Sequence, residues 1–161
     1  MASGGDPGDG WAMQLSSDTE LGRFTIEATD SAIVAVAWGG EGRDDTPLLR
    51  EAAAQLIAYA AGDRTAFDLP LAPEGGPLQQ AVMAEMRAIP FGETRTYGDI
   101  AKAVGAPAQA VGQACGANPI PVIIPCHRVT GAAGLGGFSA PGGVDAKVRL
   151  LRHEGAYSLL I

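Results

Sequence analysis

The sequence predicts a two-part α/β protein, with an N-terminal hairpin-and-helix unit followed by a mostly helical unit. Three observations predict it. Two short β-branched and apolar runs near the start give way to helical patterning. The stretch Pro73-Glu74-Gly75-Gly76-Pro77 has the turn chemistry of a linker. Charge divides at the same place: residues 1–76 hold four basic and thirteen acidic side chains, a net of −9, whereas residues 77–161 hold seven and five, a net of +2. The 161 residues suffice for one substantial domain or two small ones.

In chain order, residues 1–17 read as a mobile tail, 18–76 as the N-terminal α/β domain and 77–161 as the C-terminal domain. Phe24 to Ala28 and Ala32 to Trp38 form a β-hairpin, with Asp30-Ser31 as the turn. Thr46 caps a helix that Pro47 starts and that runs to about Ala61. Phe67 to Leu69 is a short strand or extended piece. Leu78 to Ala88 is the next helix, broken by Ile89-Pro90-Phe91-Gly92. Thr96 caps a helix from Tyr97 to Val104 that Gly105 stops, and Pro107 opens another to about Gly116. This pair is helix-turn-helix-like, although an ordinary helical hairpin has the same signature. Ala108 to Ala114 is small-sided and allows close approach to a minor groove or another helix. Ile120 to Ile124 reads as a buried strand, with Val129 continuing extended structure after Cys126. Residues 131–143 are glycine-rich. Val144 to Glu154 is an amphipathic helix, with Val144, Val148 and Leu151 inward and Lys147, Arg149 and Arg152 solvated.

The net charge of −7 argues against nucleic acid as a partner; the basic bias of the second half argues for it, weakly. Two cysteines make no disulfide framework and fit a reducing cytoplasm. No apolar run is long enough to span a membrane, and the first ten residues lack the features of a signal peptide.

The chemistry concentrates at Ile124-Pro125-Cys126-His127-Arg128-Val129. A thiol between a φ-restricted proline and an imidazole sits on a stiff base. It becomes a nucleophile only as thiolate, which calls for a base or a positive dipole nearby. His127 is the candidate base, acting through a water because sequence neighbours on a strand face opposite ways. Glu154 is the candidate to orient it. A buried structural thiol is the plain alternative for Cys126, and His153 reads as a helix-face residue without a role. Zinc held by both cysteines and both histidines is disfavoured by their spacing, and a cysteine hydrolase by the lack of a recognisable oxyanion hole.

Ile-Pro-Cys-His-Arg-Val at 124–129 resembles the active-site signature of the O6-alkylguanine-DNA alkyltransferases. The resemblance extends over about 78–156. It is carried also by Ile89 to Thr94, Thr96 to Ala101, Ala110-Val111-Gly112, Ala117-Asn118-Pro119, Gly136-Gly137-Phe138 and Leu150 to Gly155. It implies a ribonuclease-H-like N-terminal domain and a winged-helix-like domain that binds double-stranded DNA from the minor groove. An alkylated guanine would be flipped into a pocket and its alkyl group passed irreversibly to Cys126, with O4-alkylthymine as a lesser substrate. His127 and Glu154 would take the thiol proton, Tyr97 would protonate the purine and Asn118 would hold the active-site loop. Thr96, Gln109, Ala110, Gly112, Arg128, Val129 and Phe138 would meet DNA or the flipped base. The resemblance implies a cytoplasmic monomer with no cofactor and no metal. A non-catalytic sensor of alkylated DNA and a thiol scavenger of alkylating agents are the other readings.

Three departures stand out. The place of the family's base-replacing arginine is held by Gln109, and the recognition helix is two residues shorter before it. The lost charge predicts binding weaker by about 1–2 kcal/mol. The loop at 138–143 is about two residues longer. The acidic first half opposes non-specific DNA binding, and no Cys or His precedes Cys115 to supply the zinc site of some relatives.

Overall fold

A computed structural model describes residues 12–132 and 143–156, apart from the side chains of 143–145. The chain divides into two compact units between Glu74 and Gly75. In the first, β1 (Met13–Thr19), β2 (Gly22–Ala28) and β3 (Ile33–Trp38) form an antiparallel sheet in that order. The expected hairpin is β2–β3, closed by a bond from Thr29 N–H to the Ala32 carbonyl at 2.9 Å. The preceding strand corrects the expectation of a mobile tail, because Met13 to Ser17 pair in register with Ala28 to Phe24. Residues 1–11 lie outside the described residues. β1 alternates only weakly between apolar and polar residues, so its pairing with β2, not its own pattern, makes it a strand.

Helix α1 (Pro47–Ala60) packs on β1 and β2. Thr46 caps it by accepting from Leu49 N–H at 3.2 Å. Leu49, Ala52, Leu56 and Tyr59 recur at helical spacing and are buried with Phe24, Ile26 and Ile33. Phe67 to Leu69 is not a strand. Its backbone is held by Gln55, whose amide oxygen accepts from Asp68 N–H at 2.9 Å.

The second unit gathers α2 (Pro77–Arg87), α3 (Tyr97–Val104) and α4 (Ala108–Gly116) around Val82, Met83, Met86, Ile100 and Val111. Thr96 and Asp99 form a reciprocal capping box at the start of α3. Gly105, at φ 72°, ends α3 in the left-handed region, and α4 begins three residues later. A two-residue parallel pairing joins β4 (Arg95–Thr96) to β5 (Val129–Thr130), and α5 (Gly143–His153) closes the described chain.

Ile120 to Ile124 is buried but is a tight turn, not the expected strand. Ile124 N–H bonds back to the Ile120 carbonyl at 2.8 Å, and Val122 sits at φ 73°, a strained value for a β-branched residue. A short apolar run reports burial, not extension, and here backbone polarity is satisfied within the run itself. The expected glycine-rich loop lies outside the described residues from 133 to 142, and Phe138 with it.

Candidate active site

The turn after α4 delivers Cys126. Pro125 stands at φ −81°, ψ 68°, an inverse γ-turn that brings Cys126 N–H to the Ile124 carbonyl at 2.8 Å. Cys126 to Arg128 then form one 3-10 turn leading into β5. Asn118 clamps the approach from inside. Its side-chain N–H donates to the Ile124 carbonyl at 2.8 Å and its oxygen accepts from Ile120 N–H at 3.0 Å. Asn118→Ala removes both bonds and strands two backbone groups. It is expected to cost roughly 2 kcal/mol in denaturant unfolding and to slow Cys126 alkylation.

Cys126 is 6 % exposed. Burial pushes its pKa up, against the opposing pull of the Asn118 side chain, the Lys147 ammonium and the backbone N–H groups of Cys126 and His127. The resting group is therefore the thiol. His127, one residue on, has no exposed surface, and its Nε2 lies 2.7 Å from Glu154 Oε2. Burial depresses its pKa more than Glu154 raises it, so the ring is neutral at pH 7. Glu154 is buried too. Burial alone would raise its pKa, but hydrogen bonds from His127 and Arg128 outweigh that and keep it well below the carboxylate range. An ionised Glu154 can only accept from His127, so Nε2 carries the ring proton and Nδ1 is the basic nitrogen. Nδ1 is buried without a hydrogen-bond partner among the described residues.

Glu154 holds its position through the end of α5. Gly155, at φ 75°, completes a Schellman closure, with Gly155 N–H on the Arg152 carbonyl at 3.1 Å and Ala156 N–H on the Leu151 carbonyl at 2.9 Å. Arg128 forks onto the same carboxylate, Nε to Oε1 at 2.8 Å and Nη2 to Oε2 at 2.9 Å. Its third donor, Nη1, reaches the Ile89 carbonyl at 2.6 Å. This corrects the expectation that Arg128 meets DNA, since its guanidinium is spent inside the protein.

Tyr97 is the first residue of α3, half-buried. Burial, and then the nearby thiols, push its pKa up to about 12, so it is protonated at neutral pH. Val129 is buried. Thr96 caps α3 through its hydroxyl, which accepts from Asp99 N–H at 3.0 Å. Along α4, Gln109 is exposed, Ala110 and Gly112 are partly so, and a Cβ at Gly112 would meet nothing within 4 Å. Gln79 fixes this helix to α2 by donating to the Ala114 carbonyl at 2.8 Å. Cys115 is buried on the same helix, and burial, then Cys126, push its thiol to about 12. His153 lies edge-on to Phe91 at 6.4 Å between ring centroids.

Sequence reasoning misses Lys147. Expected in solvent, it has no exposed surface; its Nζ donates to the Val129 carbonyl at 2.6 Å and stands 5.7 Å from the centre of the Tyr97 ring. The signal was spacing: Lys147 and Glu154, seven apart, lie on the α5 face that also buries Leu150 and Leu151.

Residues 15–73 match the ribonuclease-like domain of 6-O-methylguanine DNA methyltransferase, and residues 77–156 match its DNA-binding domain. The expected order of an α/β unit and a helical DNA-binding unit therefore holds. The chain is 45 % identical over 138 residues to a methylated-DNA–protein-cysteine methyltransferase of Methanosarcina acetivorans, covering 84 % of this chain and 81 % of that one. Among solved structures, the O6-methylguanine methyltransferase of Mycobacterium tuberculosis aligns with TM-score 0.80 at 37 % identity, over 91 % of this chain and 94 % of that one. The M. tuberculosis protein solved in complex with DNA aligns with TM-score 0.78 at 39 % identity, over 88 % and 92 %. With both halves matched in order and a thiol, imidazole and carboxylate gathered where the family's signature lies, this chain belongs to the 6-O-methylguanine DNA methyltransferase family.

Proposed function

We propose that the protein repairs O6-alkylguanine in double-stranded DNA by taking the alkyl group onto Cys126, once per molecule, as a methylated-DNA–protein-cysteine S-methyltransferase. The observation that carries this reading is the buried series Cys126, His127, Glu154, in which the basic ring nitrogen has no hydrogen-bond partner among the described residues. The alkylated base is flipped out of the stack from the minor-groove side, because the alkyl carbon on its O6 is unreachable within the duplex. The Cys126 proton passes, through a water, to His127 Nδ1, and Glu154 stabilises the imidazolium. The sulfur attacks the alkyl carbon, an S–C bond forms and the C–O6 bond breaks. Tyr97 gives its proton to the departing purine and recovers one from the imidazolium through solvent. The products are the thioether on Cys126 and an unmodified guanine still attached to its strand, with no cofactor consumed.

Thr96, Gln109, Ala110 and Gly112 form the face presented to DNA, and the Cys126 and Val129 carbonyls read the exocyclic amine. The protein acts as a monomer, and its two free thiols suit the cytoplasm. Among the described residues no helix is long and apolar enough to cross a membrane.

The test is the intact mass after incubation with a duplex holding one O6-methylguanine. One methyl gained per chain, absent in Cys126→Ser, supports repair. Tight binding without mass gain, or equal alkylation by free base and by DNA, overturns it. Gln109→Arg is expected to tighten DNA binding and steepen its salt dependence by about one phosphate contact, read from affinity between low and moderate salt.

A further inference from the structure

Three buried hydrogen bonds of Arg128 have no part in the proton transfer proposed for Cys126. Nε and Nη2 grip both oxygens of Glu154 at 2.8 and 2.9 Å, and Nη1 donates to the Ile89 carbonyl at 2.6 Å. The guanidinium carbon stands 5.9 Å from the centre of the Phe91 ring. A fork of this kind fixes the plane of the carboxylate. Oε2 is thereby aimed at His127 Nε2, 2.7 Å away, and accepts from both residues.

Charge adds a second consequence. A buried carboxylate calls for a matching cation. Two residues bonded to Glu154 can supply it: Arg128, which is always charged, and His127, which is charged only after taking up a proton. With Arg128 in place, the three residues carry no net charge while the ring is neutral, so a proton added to His127 is an unmatched buried charge. Without Arg128, ring and carboxylate become the matched pair, and the ring is drawn to hold a proton before Cys126 can give it one. The other groups around the ring are Cys126 in the same turn and Lys147 from α5, with Tyr97 and Cys115 beside Cys126 and His153 edge-on to Phe91. Burial lowers the pKa of the ring most, Glu154 raises it, and Arg128 and then Lys147 lower it again.

We propose that Arg128 is a positioning residue for alkyl transfer: by filling the cation place opposite Glu154, it keeps His127 a neutral base, with the ring proton on Nε2 and Nδ1 open to the Cys126 proton. This deepens the alkyltransferase reading and rests on it. Arg128 itself exchanges no proton. The Cys126 proton moves to Nδ1 and the S–H electron pair stays on sulfur for the attack. Glu154 steadies the imidazolium formed in that step, and Arg128 keeps it from persisting, so the proton passes on.

Protein carrying 15N in its histidine rings reports tautomer and charge from the nitrogen shifts, without DNA. His127→Gln removes the relevant signals and so assigns them. Wild type is expected to show a neutral Nε2–H ring at pH 7. Arg128→Gln is expected to raise the protonation midpoint of the ring by about one to two units, and Arg128→Lys, which keeps the charge, to hold it within about half a unit. A folded Arg128→Gln whose ring titrates as in wild type, or stays neutral to as low a pH, overturns the proposal, because a merely structural arginine would alter stability and leave the midpoint alone. Should Arg128→Gln fail to fold, the other two proteins decide. An imidazolium or an Nδ1–H ring at pH 7 in wild type overturns the proposal, as does an Arg128→Lys midpoint raised by about one unit or more. In single-turnover transfer from O6-methylguanine duplex, the acid limb of the Arg128→Gln rate is expected to move up with the ring midpoint, and an unmoved limb overturns the proposal. Failure of wild type to gain a methyl from that duplex counts against the repair reading alone, since the ring titration still decides the role of Arg128.

Discussion

Glu154→Ala is expected to lower the stability of the protein by about 3–5 kcal/mol, the largest effect of any single substitution here. The carboxylate accepts from His127 Nε2 and from two donors of Arg128, all buried. Removing it leaves the guanidinium bonded to the Ile89 carbonyl with its charge unmatched, and frees the imidazole to rotate. Most of the cost is the uncompensated buried charge, not the worth of the contacts. Arg128→Met in the same background should therefore recover a substantial part of the loss. Urea unfolding of wild type, single and double variant checks this. Additive losses would show that Arg128 and Glu154 act independently. The same cluster sets the acid limb of stability. The folded-state pKa of His127 lies below its ordinary 6.5, so below that pH the unfolded chain takes up a proton that the folded chain refuses. Glu154 is likewise depressed from 4.5, and its contribution is present above that pH and lost as pH falls through the folded value. Stability is expected to decline from about pH 6.5 downward, and His127→Gln should remove the upper part of that decline.

His127→Gln is expected to slow methyl transfer from DNA by a factor of about 10²–10⁴, the range for loss of a positioned general base. Burial makes the Cys126 thiol reluctant to ionise, and glutamine cannot take its proton. The effect should fall on the transfer step and spare DNA affinity, since His127 has no exposed surface. Rapid-quench assays at saturating protein separate the two. A loss confined to affinity, with the transfer rate intact, would remove His127 from the chemistry. Raising the pH should partly restore the variant, because hydroxide then does what the imidazole did.

The local parts of this site are legible in the chain. Thr96, Asp99 and Gly105 mark the limits of α3 because capping depends on a few adjacent residues. The motif around Cys126 announces a reactive thiol because Pro125 and His127 act on it through the backbone they share. β1 is less legible, for Gln14, Ser16, Ser17 and Asp18 give an edge strand little apolar alternation. The run Ile120 to Ile124 misleads, since apolar side chains record burial while Asn118 decides that the backbone turns.

By itself the sequence determined the order of the two units, the nucleophile and the imidazole beside it, because each depends on neighbours within a few residues. Only the tertiary structure decided where the charges went. It turned Arg128 inward onto Glu154 and drew Lys147 beneath Tyr97. A charged side chain on a helix or turn favours solvent unless a partner waits in the core. Here those partners are the Glu154 carboxylate and the Val129 carbonyl, separated by 26 and 18 residues of chain. No local pattern encodes such a meeting, so burial of these two cations became visible only once the chain had folded.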